Sequence, residues 1–281
     1  MEYNIINQSG PRYSFEIRLV ENVFTFYDYG GYEDRNPSTI KLIIDGLKSN
    51  EEVFHNKKLQ ILINTSDQLD NDRFSYAHAS DKYKTIPCFT FDGWRQIGIE
   101  SFENTVNEIK IQAKNIPIIN KLFWSGSIGS HIPTRMKYNQ LAIQYPNLLL
   151  CNAIDFIRDN PEKLTANNFV SLAEHCKYKY LIDIEGVGWS GRLKFLCCTK
   201  RVLFINERPY QEFWMDGLVD GENCIMVKRD LSNLIEKLEY VENNPELYDK
   251  LSNNLYEFAE KTFTKENINN HIVEVFKKII K

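Results

Sequence analysis

The chain alternates short apolar runs with longer stretches in which apolar residues recur every three or four positions. The first pattern marks buried strands, the second amphipathic helices. Near the N-terminus, Tyr13–Val20 and Val23–Tyr27 read as two strands around a turn at Glu21-Asn22. Gly30-Gly31 and Asn36-Pro37 end that region. Ile40, Ile43, Ile44 and Leu47 give a core-facing stripe to a helix starting near Ser38 or Thr39. Lys58–Asn64 (KLQILIN) is a strand. Phe74–Trp94 is aromatic and irregular, with a strand near Cys88–Phe91. Ser101 caps a helix running to about Lys114, which Asn115-Ile116-Pro117 breaks.

Beyond Pro117 the alternation becomes regular. Strands are expected at Leu122–Trp124, Asn147–Cys151, Tyr180–Ile184, Val202–Ile205 and Ile225–Val227. Helices are expected from about Thr134, within Pro161–Cys176, after Gly191, and over Tyr210–Leu218. Three more run from Asp230 to Val241, over Pro245–Lys261 and over Lys265–Ile280. Strands alternating with helices predict an α/β fold with a parallel sheet covered on both faces. The break at Pro117 divides the chain into 1–117, 118–262 and a closing helix, 263–281.

Composition changes this picture little. At 43% hydrophobic and 26% charged residues, the chain is that of an ordinary globular protein. A net charge of −4 leaves no electrostatic footprint for nucleic acid. No apolar run reaches membrane-spanning length. The opening MEYNIINQSGPRYSFEIRL lacks the basic-then-apolar order of a signal peptide, so a cytoplasmic location is expected. The six cysteines (Cys88, Cys151, Cys176, Cys197, Cys198 and Cys224) form no CxxC pair. Several lie in apolar runs, so they read as packed thiols and not as metal ligands.

Candidate chemistry concentrates in Glu174–Phe204, EHCKYKYLIDIEGVGWSGRLKFLCCTKRVLF. An apolar strand runs into Gly186, Gly188 and Gly191, where a ligand can approach the backbone unobstructed. Arg192 and Lys194 follow at the start of a helix, whose N–H groups beside an arginine suit a diphosphate. A plain strand-to-helix turn explains the same glycines. Trp189 either stacks on a ligand ring or covers the core. Asp67 lies just past the strand ending at Asn64, where open α/β sheets place their chemistry. It is a candidate general base, or a turn aspartate. Asp70-Asn71-Asp72 spells a D-x-D pattern that can hold a divalent metal on a nucleotide diphosphate. The aromatic residues between Phe74 and Trp94 line a sugar site or build core. His175 reads as a packed structural residue, since nothing nearby supplies a nucleophile.

Five stretches, taken in order, resemble glycosyltransferase family 90. They are ILINTSD (Ile61–Asp67), FWSGS (Phe123–Ser127), EHCKYKYLIDIEGVGWSGRLKFL, and PYQEFW (Pro209–Trp214) with VKRDLSNLIEKLEYVENN (Val227–Asn244). The resemblance implies a GT-B-like enzyme with two Rossmann-like halves, parallel sheets and a cleft between them. The C-terminal half would hold a UDP-sugar, UDP-xylose or UDP-glucose, for inverting, metal-independent transfer to a glycan or glycoprotein hydroxyl. No cofactor is implied. By motif Asp67 matches the general base. Ser127, Ser190 and Arg192 match diphosphate contacts, and Gly186, Val187, Gly188 and Trp189 form the donor turn. Arg135 matches a further arginine if two residues are inserted, and Glu212 an acidic position assigned to the ribose. Ser125 stands where the family carries arginine, and Asn223–Val227 departs from its pattern. A non-catalytic nucleotide-sugar-binding relative, or a manganese enzyme using Asp70 and Asp72, are the alternative readings. The family's bacterial or viral glycan branch suits the chain better than its secretory one.

Overall fold

The computed structural model describes residues 1–68, 73–128, 132–154 and 169–280. The chain forms two compact units. The first comprises Met1–Phe102, Pro209–Asp216 and Thr262–Lys281; the second comprises Glu103–Arg208 and Gly217–Lys261. The helix near Ser101–Lys114 therefore counts with the second unit, and the closing helix with the first.

The first unit holds β1 (Glu2–Asn7), β2 (Ser14–Val20), β3 (Val23–Asp28) and β4 (Leu59–Asn64) in the order β1-β3-β2-β4. β1 runs parallel to β3, and β2 antiparallel to both β3 and β4. The expectation of a parallel sheet thus needs correction here: β2 is reversed. The cause is the predicted turn. Glu21 and Asn22 sit at φ +50° and +66°, the left-handed pair of a tight hairpin, which forces β3 back along β2. β1 shows no alternation that marks it as a strand, and most of it is exposed.

Helix α1 (Arg35–Lys48) starts ahead of the predicted Ser38. Asn36-Pro37 fall in its first turn, where the missing proline N–H costs no helical bond. Its Ile40, Ile43 and Leu47 are buried, as are Phe15, Ile17, Phe24 and Phe26 on one face of the sheet. The final helix of the chain, Lys265–Lys277, lies against α1. Gly46 permits this approach, since a Cβ there would stand 2.8 Å from three side-chain atoms of Ile272. Gly46→Val is expected to overpack this contact and cost about 2 kcal/mol. A fall in Tm of roughly 4–8 °C should follow. An unchanged melting curve would mean the two helices separate freely.

Two predicted elements of this unit take other forms. Cys88–Phe91 is not a strand but a 3₁₀ turn over Phe89–Phe91, and its aromatic side chains are core. Tyr210–Leu218 is not a helix. Gln211 bonds His78 backbone to backbone at 3.0 and 3.1 Å, and only Met215–Gly217 coils.

The second unit holds α2 (Phe102–Ala113), β5 (Ile119–Ser127), α3 (Pro133–Gln144), β6 (Leu149–Ile154) and β7 (Tyr178–Asp183). It continues through α4 (Leu193–Cys197), β8 (Val202–Asn206), β9 (Ile225–Val227), α5 (Leu234–Glu242) and α6 (Pro245–Thr262), and α7 is the Lys265–Lys277 helix already described. Its five strands are all parallel, in the order β6-β5-β7-β8-β9, as the alternation predicts. The core between sheet and helices includes Leu122, Trp124, Tyr138, Tyr180, Phe204, Leu234 and Leu238. α5 starts later than Asp230, because Leu231 at φ +59° interrupts the helix. Asp230 instead accepts from the Ser232 N–H at 3.0 Å. Of the helix expected within Pro161–Cys176, residues 161–168 lie outside the described residues; Ala173–Lys177 is a 3₁₀ turn. No helix among the described residues is long and apolar enough to cross a membrane.

Candidate functional site

In the second sheet, β6 lies on one side of β5 while β7, β8 and β9 follow on the other. The strand order reverses between β5 and β7. Open α/β sheets bind ligands at the carboxyl ends of the strands flanking such a reversal, because the loops there diverge and leave a crevice. Here those ends are Ser125–Ser127 and Asp183.

Asp183 is fully buried. Its Oδ1 accepts from Ser190 Oγ at 2.8 Å and from Arg192 Nε at 3.1 Å, and its Oδ2 accepts from Arg208 Nη2 at 3.0 Å. Burial alone would raise its pKa. Arg208, Arg192 and the Ser190 hydroxyl outweigh burial and hold the carboxyl below its ordinary value. Arg192 Nη1 donates to the Ser125 carbonyl. Its Nη2 is buried and has no partner among the described residues.

Arg135, in the first turn of α3, packs beside this group. Its Nε donates to the Glu185 carbonyl at 3.0 Å and its Nη1 to the Ser127 carbonyl at 3.1 Å. Burial, then the charge of Arg192, pulls its pKa down to about 10. The guanidinium carbons of Arg135 and Arg192 lie 5.4 and 5.3 Å from the Trp124 ring centroid, in cation–π range. Gly126 fits beside that indole because a Cβ would come within 2.9 Å of it. Gly186 has a similar reason: its Cβ would stand 3.1 Å from the Trp189 carbonyl and 3.5 Å from Arg135 Nη2. Glu185 is answered by Arg229 Nε at 2.7 Å. Three arginines thus converge with one buried carboxylate at the strand-order reversal, and positive charge is in excess.

Residues 64–281 match the model of glycosyl transferase family 90. The chain belongs to that family. Human protein O-glucosyltransferase 1 is 32% identical over 99 residues, covering 35% of this chain and 25% of the relative. Zebrafish (Danio rerio) protein O-glucosyltransferase 2 is 26% identical over 212 residues, covering 73% of this chain and 42% of the relative. The matches therefore span less than half the length of either relative. Among solved structures, Anabaena HepE in complex with UDP-glucose aligns at a TM-score of 0.42 and 10% identity, covering 62% of this chain and 53% of that one.

In this family 90 chain the structure brings Ser127, Arg135, Ser190 and Arg192 together, with Gly186–Trp189 forming the adjoining turn. Val187 is 52% exposed, whereas Trp189 is buried. The Ser190 hydroxyl is engaged with Asp183. The helix expected to present its N-terminus needs correction. α4 has only five residues, because the chain turns at Lys200, φ +55°, to enter β8. So short a helix has little dipole, and the cations supply the charge.

Asp67 and Glu212 both belong to the first unit. Asp67 Oδ1 pairs with Arg35 Nη2 at 3.0 Å, and the aspartate side chain is 37% exposed. Arg35 is itself fixed: its Nη1 donates to the Thr65 carbonyl at 3.1 Å, and it stacks 3.9 Å from the Tyr32 ring centroid. Glu212 is buried and accepts from Trp214 Nε1 at 3.1 Å. Asp70 and Asp72 lie outside the described residues. His175 is buried, with its Nδ1 2.8 Å from the Ser171 carbonyl. Burial drives its pKa down to about 4, so the ring is neutral at physiological pH. All six cysteines are free thiols.

Two members of the site escape the sequence reading, Asp183 and Arg208. For Asp183 a signal was present. A carboxylate inside the apolar run Tyr180–Ile184 has to find a cationic partner when that strand is buried. Arg208 carried no such mark, being one of several charges after β8.

Proposed function

We propose that this chain is an inverting, metal-independent UDP-sugar transferase. UDP-glucose or UDP-xylose is the donor, and a hydroxyl of a glycan or glycoprotein is the acceptor. One observation carries the reading: a buried, unpartnered Arg192 N–H edge within a cluster of three arginines at the strand-order reversal. A diphosphate oxygen supplies the acceptor that this donor lacks. Family membership agrees, and the names of the relatives favour glucose over xylose.

Asp67 takes the acceptor hydroxyl's proton as that oxygen attacks the anomeric carbon. The bond from that carbon to the diphosphate oxygen breaks, and its electron pair leaves with UDP. Arg192 and Arg135 stabilise the negative charge that develops there. Fixed guanidinium groups can do the work that a divalent metal does in other transferases.

UDP release from a panel of UDP-sugars, with EDTA and with added manganese, tests the reading. The expected result is slow hydrolysis of one donor, indifferent to EDTA. Activity that appears only with manganese would favour Asp70 and Asp72. Tight UDP binding with no turnover on any donor or on an array of glycan acceptors would favour a binding protein.

A further inference from the structure

Arg192 is held on two edges. Its Nε is fixed by Asp183 Oδ1 and its Nη1 by the Ser125 carbonyl, and the Ser190 hydroxyl braces the same Oδ1. A guanidinium is a rigid plane, so two anchors on different edges determine where the third edge points. That third edge is the unpartnered Nη2. Arg208 closes the arrangement from the other side, bonding Asp183 Oδ2 at 3.0 Å and Asn206 Oδ1 at 3.0 Å. We infer that Asp183 is the positioning residue of the arginine cluster. It turns Arg192 so that Nη2 is offered to a phosphate oxygen, and it offsets part of the cluster's positive charge. This rests on the diphosphate reading above.

The charge count supports the second half of the inference. Arg135, Arg192 and Arg208 bring three positive charges and Asp183 removes one, while Glu185 is matched by Arg229. Lys194, fully buried two residues beyond Arg192, adds a further cation, so the surplus at this end of the sheet is positive and suits an anionic diphosphate. Without Asp183, three guanidinium groups would repel one another, and Arg192 would keep one hydrogen bond, to the Ser125 carbonyl, and its face on Trp124, about which it can pivot. Ser190 then acts through Asp183, since its proton is donated there.

The test is a double-mutant cycle on binding, with UDP and uridine as probes. Asp183→Ala should weaken UDP at least tenfold and leave uridine unchanged, because only the diphosphate meets the cluster. In an Arg192→Ala background, Asp183→Ala should cost no more than a further twofold, since its effect passes through Arg192. Asp183→Asn keeps the shape and serves if the alanine variant does not fold. Its amide would turn an N–H toward Arg208, and UDP should again weaken selectively. Undiminished UDP affinity, equal losses for UDP and uridine, or full additivity with Arg192→Ala would each overturn the inference. Should the wild-type chain bind no UDP, the diphosphate reading fails first. The positioning claim is then read from the arginine Nε–H resonances of the unliganded protein. A resolved Arg192 signal that broadens in Asp183→Asn supports it, and an unaltered one removes it.

Discussion

Arg192→Ala reduces UDP affinity roughly 30- to 1000-fold, the equivalent of about 2–4 kcal/mol for truncating one partner of a buried charged hydrogen bond. The loss has two sources. The unpartnered Nη2 edge disappears, and Asp183 loses one of its two cations, leaving more of its charge for an incoming phosphate to meet. Arg192→Lys should recover little. An ammonium group is a single point, and it cannot reach Asp183 Oδ1 and the Ser125 carbonyl from two edges while presenting a third. Calorimetric titration with UDP measures both variants. Wild-type affinity in Arg192→Ala would remove the arginine cluster as the diphosphate seat, whatever the chain's family.

Asp67→Asn separates chemistry from binding. The amide keeps an oxygen for Arg35 Nη2, so the local packing around the buried Arg35 persists. It cannot accept a proton from the acceptor hydroxyl. Transfer should fall by about 10²–10⁴-fold, the usual contribution of a general base. UDP affinity should stay within a factor of two. Turnover of the selected donor and a parallel UDP titration give the two readouts. A variant that still transfers at the wild-type rate would return Asp67 to the role of a turn aspartate held by an arginine.

The second unit was largely legible because the central stretches of its inner strands are buried on both faces. Leu122–Trp124, Tyr180–Ile184 and Val202–Ile205 stand out as apolar runs between glycine-rich turns and amphipathic helices, and each is a strand of the parallel sheet. The first unit was harder to read. β1 is an exposed edge strand with no inward face to mark it, whereas the reversal of β2 against β3 follows from the turn expected at Glu21-Asn22. Tyr210–Leu218 has helical spacing, yet its backbone pairs with His78, a partner distant in sequence. In the site, Arg192 and Ser190 were visible as local motif residues. Arg208 was not, because its relation to Asp183 depends on β7 and β8 lying side by side.

The return of Thr262–Lys281 to the first unit sets an order for synthesis. Gly46 and the rest of α1 leave the ribosome more than two hundred residues before Ile272, the side chain that fits against it. At about 5–20 residues per second, that delay is roughly 10–45 s. During it the α1 surface destined for α7 stays open to water or to a chaperone, and by its end every segment of the second unit has been made. The nascent chain should therefore gain protease resistance in its later-made unit before its earlier-made one.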